Sequence, residues 1–195
     1  MTFTEIKKVL KSKCVGIAGC GGLGSNVAVA LARVGVGRLI IADFDVISES
    51  NLNRQYFFYD QIGFYKTEKL RENIERINPN TLVDAHMCTL DKQNIPSYFR
   101  NCDLVIEAFD SADMKQMLIE VMSEKLPHIP VVSGMGMAGY GDNVSITEVQ
   151  YGNLYICGDM RSEVSEDNPP LAPRVGVVSN MQANAAIKIL LNGNS

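Results

Sequence analysis

The chain has 195 residues, 46% apolar and 21% charged, which excludes a disordered polymer and suffices for one domain with a sizeable core. No window approaches the roughly 18 apolar residues of a membrane span. The net charge of −4 is too mild to argue for nucleic acid.

The amphipathic start, "MTFTEIKKVLKSK", lacks an apolar signal core and a cleavage site, so a cytoplasmic location is expected. "CVGIAG" (14–19) reads as a buried strand. "SNVAVALAR" (25–33) reads as a helix, with Gly35 placed to end it. "RLIIAD" (38–43) is the next strand. "KTEKLRENIERINP" (66–79) is a helix with Leu70, Ile74 and Ile77 on one face and Pro79 as its stop. "TLVDAHM" (81–87) follows as a strand, and a short helix falls around 97–100.

"DLVIEAFD" (103–110) is a central strand, "ADMKQMLIEVMSEK" (112–125) a helix and "IPVVSG" (129–134) a strand. Glycine-rich "SGMGMAGYGDN" comes next. "VSITEVQ" and "NLYICG" then alternate like antiparallel strands. A polar loop (159–173) leads to a last helix, near 175–191. Strands and helices alternate through residue 134. The expected fold is therefore one doubly wound α/β domain over 1–195. Its sheet is mostly parallel, with antiparallel strands at the C-terminal edge and the ligand at the strands' carboxyl ends.

The five cysteines, Cys14, Cys20, Cys88, Cys102 and Cys157, are odd in number and contain no CxxC pair. They read as reduced thiols, and no zinc is expected. His86 and Cys88 can share one strand face but are read as structural.

"GCGGLG" fits GxGxxG through Gly19, Gly21 and Gly24, between a strand and a helix. Without Cβ atoms this backbone can present N–H groups to phosphate at a helix N-terminus. Ser25 is a candidate cap. Asp43, at the end of the second strand, suits ribose hydroxyls. Asp45 reads as a loop acid or a brace for a nearby cation. To this point any adenosine nucleotide fits, NAD included.

The following segment narrows the choice. Asn51, Asn53, Arg54 and Gln55 lie close together, and Lys66 opens the next helix. Arg54 and Lys66 bring two cations to the ligand end of the sheet, one a planar fork and one a point charge. NAD gains little from them. A triphosphate attacked at its α-phosphate gains much, because charge builds on the departing pyrophosphate. Asp110, read at the end of the 103–110 strand, suits Mg²⁺, with an N-cap as the plainer role. Glu107 reads as pointing into the strand environment. Residues 1–100 hold 13 basic and 10 acidic residues and residues 101–195 hold 5 and 12, so the basic half carries the phosphate signals.

Taken together, "GIAGCGGLGSNVAVALARVGVGRLIIADFDVISESNLNRQ", "GFYKTEKLRENIERINP", "DLVIEAFD" and "APRVGVVSNMQANAAIKIL" resemble the ThiF/MoeB/HesA family, bacterial relatives of ubiquitin-activating enzymes. The resemblance implies that Gly19, Gly21, Gly22 and Gly24 bed ATP and that Asp43 holds the ribose. It places Asn51, Arg54, Gln55 and Lys66 around the phosphates and Mg²⁺ on Asp110. The implied reaction is adenylation of the C-terminal glycine carboxylate of a small ubiquitin-like sulfur carrier ending in Gly-Gly. In its ThiF branch the carrier is ThiS and the pathway leads to the thiamine thiazole. The resemblance also implies a homodimer.

Three features depart from the family pattern. The two CxxC zinc pairs are missing, which suggests a short, zinc-free form. The 159–173 loop has no cysteine, leaving only Cys157 at its edge, which reads as a buried small hydrophobe. The N-terminus offers Lys7, Lys8, Lys11 and Lys13 where relatives supply an arginine to the neighbouring subunit. Competing expectations are an NAD-dependent oxidoreductase, an enzyme adenylating another carboxylate such as that of a modified tRNA base, and a non-catalytic carrier-binding homologue.

Overall fold

The computed structural model describes residues 1–192. In chain order the elements are α1 (Phe3–Leu10), β1 (Cys14–Ala18), α2 (Gly22–Val34), β2 (Arg38–Asp43), α3 (Lys66–Ile77), β3 (Leu82–Met87), α4 (Ile95–Phe99), β4 (Leu104–Glu107), α5 (Ala112–Lys125), β5 (Val131–Gly134), β6 (Thr147–Tyr151), β7 (Leu154–Gly158) and α6 (Ala172–Asn192). The strands form one sheet in the order β3-β2-β1-β4-β5-β7-β6. β1 pairs in parallel with both β2 and β4, so the winding reverses between β1 and β4.

That reversal opens a crevice at the carboxyl ends of β1 and β4. Both strands alternate their side chains between two cores. Val15, Ile17, Leu104 and Ile106 face a core shared with α2, α3 and α6. Ala18 and Val105 face the opposite core, which α4 and α5 cover. Strands buried on both faces read as unbroken apolar runs, which is why "CVGIA" and "LVIE" are recognisable without a polar alternation. Gly16 allows a close approach, since a Cβ there would stand 2.6 Å from the Phe99 ring of α4.

α2 ends where the sequence places its stop. Gly35 is left-handed at φ 97°, and its N–H bonds back to the Ala32 carbonyl. Its start differs from the expected residue 25. The helix begins at Gly22, inside the glycine run, with Gly21 at the N-cap position and no side-chain cap. Ser25 therefore caps nothing. Its hydroxyl donates to the Gly21 carbonyl at 2.6 Å and accepts the Tyr56 N–H at 2.9 Å. Propensity disfavours glycine in a helix by about 1 kcal/mol, so the first turn is invisible to it.

The 103–110 strand is also shorter than read. β4 stops at Glu107; the Ala108 N–H still bonds to the Ala18 carbonyl at 3.0 Å, and Phe109 and Asp110 then leave the sheet. At the far edge β6 and β7 form the expected antiparallel pair, a hairpin in which β7 also runs parallel to β5. The glycine-rich segment after β5 lets the chain cross outward and reverse before β6. No described helix is long and apolar enough to cross a membrane.

Candidate active site at the switch point

The glycine turn is built by close contact. Gly19 has φ +95°, and a Cβ on it would stand 2.8 Å from the Ala108 carbonyl oxygen. A Cβ on Gly24 would stand 1.9 Å from the Gly19 carbonyl oxygen. These two positions lock β1, α2 and the post-β4 turn together. A Cβ on Gly21 would meet only the Gln55 amide, at 3.7 Å, so Gly21 faces open space toward the crevice.

Asp43 reaches this turn from β2. Its carboxylate accepts the Cys20 N–H at 2.6 Å and the Asp45 N–H at 2.8 Å. Burial pushes the carboxyl above its ordinary value, against the pull of those two N–H groups and of Lys66. Asp43 thus sits within the electrostatic reach of Lys66. Asp43 thus braces the glycine turn, a role that its spacing does not disclose.

The segment after β2 folds back over the turn. One 3-10 turn, Glu49–Asn51, is closed by the Asn51 side chain, whose Oδ1 accepts the Ser48 N–H at 3.1 Å. The aliphatic stem of Arg54 then passes within 3.5 Å of where a Gly22 Cβ would stand. Its guanidinium donates to Asn53 Oδ1 at 2.7 Å and to the Ser50 carbonyl at 3.3 Å. Among the described residues no carboxylate pairs with Arg54. Gln55 is buried beside Gly21, with its Oε1 left without a partner among the described residues.

Lys66 opens α3 and is buried, although lysine is seldom fully buried unless paired. Its ammonium pairs with the Asp45 carboxylate at 2.6 Å. Asp45 is therefore the cation brace, and Lys66 is no loose surface charge.

Asp110 lies in the turn that packs on Gly19. It is exposed, and among the described residues it accepts no hydrogen bond and forms no ion pair. The N-cap of α5 is Ser111, whose Oγ accepts the Met114 N–H at 3.4 Å. The plainer role for Asp110 is thereby taken by its neighbour.

Two structural links are not evident from the sequence. Asn26 donates to the Gly22 carbonyl at 2.7 Å and to the Arg54 carbonyl at 2.9 Å, stitching α2 to the arginine segment. A lone amide beside apolar "VAVALA" is its only signal. Asn53 donates to the Pro170 carbonyl at 3.3 Å, joining the same segment to the 159–173 loop. That loop lies over the glycine-rich segment, where Gly139 N–H bonds to the Pro169 carbonyl at 2.9 Å. Its root is a buried pair, Asp159 and Arg174, at 2.6 Å.

Cys157 is fully buried in β7, and burial with the nearby Glu148 pushes its thiol up to about 12. Two clefts of about 420 Å³ lie away from the glycine turn. One lies between α5 and the β6–β7 turn, the other beside Lys13 and the end of α6. Neither shares a residue with this site.

A family model described as the ThiF family matches residues 2–195. The chain belongs to the ThiF family. It is 32% identical to the molybdopterin-synthase adenylyltransferase of Escherichia coli, covering 94% of this chain and 75% of that one. It is 34% identical to the adenylyltransferase and sulfurtransferase MOCS3 of Caenorhabditis briggsae, covering 94% of this chain. The chain spans 47% of the length of that longer relative. Identity to the SAMP-activating enzyme E1 of Haloferax volcanii is 31%, over 95% of this chain and 69% of the relative.

Solved ThiF-like structures share the fold. The tRNA N6-threonylcarbamoyladenosine dehydratase TcdA of E. coli, in complex with ATP, superposes with a TM-score of 0.86 at 22% identity, covering 96% of this chain and 89% of that one. E. coli MccB with ATP gives 0.73 at 25% identity, covering 96% and 58%.

Proposed function

We propose that this ThiF-family chain adenylates the C-terminal glycine carboxylate of a small ubiquitin-like sulfur carrier, with ATP as donor. One observation carries the reading furthest. Arg54, which no described carboxylate neutralises, lies over the glycine turn, while the buried Lys66, paired with a half-exposed Asp45, stands within electrostatic reach of Cys20 and Asp43. Sequence relatives named adenylyltransferases, and one named a SAMP-activating E1, support both the reaction and the kind of partner.

The carrier carboxylate is already a nucleophile, so the chemistry needs no general base. Its oxygen forms a bond to the α-phosphorus as the bond to the β-phosphate oxygen breaks, and pyrophosphate leaves. Arg54 and Lys66 are assigned to the β- and γ-phosphates, where charge accumulates. Backbone N–H groups at Gly21 and Gly22, at the start of α2, are assigned to the phosphates. Asp43 is assigned to the ribose, and Asn51 and Gln55 to the phosphate surroundings. The exposed carboxylate of Asp110 fits a hydrated Mg²⁺, which keeps most of its waters and takes few protein ligands. Bound there, Mg²⁺ would neutralise phosphate charge. The carrier tail is assigned to a path under the 159–173 loop, beside the glycine-rich segment after β5.

Two of the sequence relatives are named for molybdopterin synthase and for SAMP activation. A ThiS-like carrier for the thiamine thiazole is the finer expectation from the family resemblance; these two names point to other carriers, so all three kinds are to be tested side by side. The expected assembly is a homodimer. The test is exchange of labelled pyrophosphate into ATP, with each Gly-Gly carrier in turn, with tRNA, and with neither. Exchange that needs a carrier supports the reading. Exchange with tRNA alone would replace it with the modified-base alternative. Tight ATP binding without exchange would leave a non-catalytic homologue, and preference for NAD an oxidoreductase.

A further inference from the structure

A buried ion pair lies beneath the site and takes no part in the chemistry just assigned. Glu107, the last residue of β4, is fully buried. Its Oε2 pairs with Lys115 of α5 and accepts from the Ser133 hydroxyl of β5 at 2.5 Å. Its Oε1 accepts the Phe109 N–H at 2.8 Å. Lys115 makes a second bond, to the Gly134 carbonyl, at 2.9 Å. Buried ion pairs are costly to desolvate, and apolar residues of similar size often serve stability as well or better. A stability role alone therefore explains this pair poorly.

The bonds show what the pair holds. Phe109 is the residue immediately before Asp110, in a turn that has left the sheet and has lost its strand partners. Glu107 supplies the acceptor for its N–H. Gly134 is where the glycine-rich segment leaves β5. Two loops of the site thus hang from one pair of charges, the first carrying Asp110 and the second running beside the path assigned to the carrier tail.

We propose that Glu107 and Lys115 are a positioning pair, setting the Asp110 turn and the Gly134 segment in register so that metal-bound nucleotide and carrier tail meet. This rests on the adenylation reading. Neither residue touches substrate.

The experiment uses the full chain and three variants: Lys115→Met, Lys115→Arg, and the triple variant Glu107→Leu, Lys115→Met, Ser133→Ala. The triple variant removes both charges and the hydroxyl that would otherwise be stranded. Thermal melts, amide hydrogen exchange of the peptide containing Phe109, and ATP affinity in Mg²⁺ and in EDTA are measured on the same samples. In the triple variant the fold persists and the Phe109 peptide exchanges much faster. The gain in ATP affinity on adding Mg²⁺ falls about tenfold or more, the scale of losing support behind a metal ligand. Affinity in EDTA stays near wild type, and Lys115→Arg keeps most of the gain.

A folded triple variant with the wild-type gain overturns the proposal and leaves the adenylation reading standing. Equal losses in Mg²⁺ and EDTA, or collapse of all three variants, show a scaffold role and also overturn it. A wild-type chain without affinity for ATP overturns both.

Discussion

The Lys66 ammonium and the Asp45 carboxylate lie 2.6 Å apart, the lysine side chain 7% exposed and the acid 47% exposed. The cation assigned to phosphate is thus held in place by an acid that itself faces solvent. Charge stays in the pocket without an isolated buried ammonium, which would be far more costly.

Lys66→Met and Arg54→Ala should each slow carrier-dependent pyrophosphate exchange by roughly 10²–10³-fold, the usual loss when a preorganised charge stabiliser is removed. Thermal melts should move little for Arg54→Ala, because no described carboxylate is stranded. Asp45→Asn loosens the brace and keeps the cation, so its effect on rate should be smaller. Rates and melts falling in parallel would contradict the assigned roles.

Glycine variants should separate fold from binding. Gly24→Ala places a methyl 1.9 Å from a backbone oxygen, so the chain should lose at least the 1–3 kcal/mol typical of overpacking and show a broadened melt. Gly21→Ala has room in the chain itself and should melt near wild type while losing ATP affinity, measured by calorimetry. Similar melts for the two variants would contradict the contact geometry.

Asp43 is assigned to the ribose, so Asp43→Ala should weaken ATP more than 3′-deoxy-ATP. Calorimetry with both nucleotides gives the ratio. A ratio identical to wild type would leave Asp43 with the Cys20 and Asp45 N–H groups alone.

Most of the architecture is legible in the sequence. Strands buried on both faces appear as apolar runs, and the glycine that ends α2 appears at its stop. What stays hidden depends on tertiary contact. The first turn of α2 is made of glycines that propensity assigns to loop. β4 ends at Glu107 because that side chain captures the next free N–H, and pattern alone extends the strand to Asp110. The pairing of Asp45 with Lys66 spans 21 positions, and no local rule joins them. Glu107 and Cys157 are legible as interior because both sit within apolar strands.

The Asp159–Arg174 pair makes an acid-stability prediction. Burial alone would raise the Asp159 carboxyl, but the Ser162 and Arg161 N–H groups and the Arg174 guanidinium outweigh it and hold it well below the usual carboxylate range. A depressed folded value means the contribution is fully present above the ordinary carboxylate value of 3.8 and fades as pH falls below it. Arg174→Met should cost about 3–5 kcal/mol at pH 7, because it leaves a buried carboxylate unpaired. Urea titrations from pH 7 to 3 should show that gap narrowing only at the acid end. A gap that closes by pH 6 would exclude this origin.

Cys157→Ala should keep carrier adenylation and cost about 1 kcal/mol of stability, the scale of a small packing loss. Its buried thiol, held near 12, is a poor nucleophile at neutral pH. A carrier adduct seen by mass spectrometry in wild type and lost in this variant would reverse that view.

The root of α6 stands against the glycine turn: Val175 Cγ1 lies 3.2 Å from where a Gly22 Cβ would be. Anyone transplanting the 159–173 segment from a relative to change carrier choice should keep Val175 and the rest of the helix native. A graft running past that seam would disturb the glycine turn assigned to ATP as well as the path assigned to the carrier tail, and altered selectivity would then be confounded with poorer nucleotide retention.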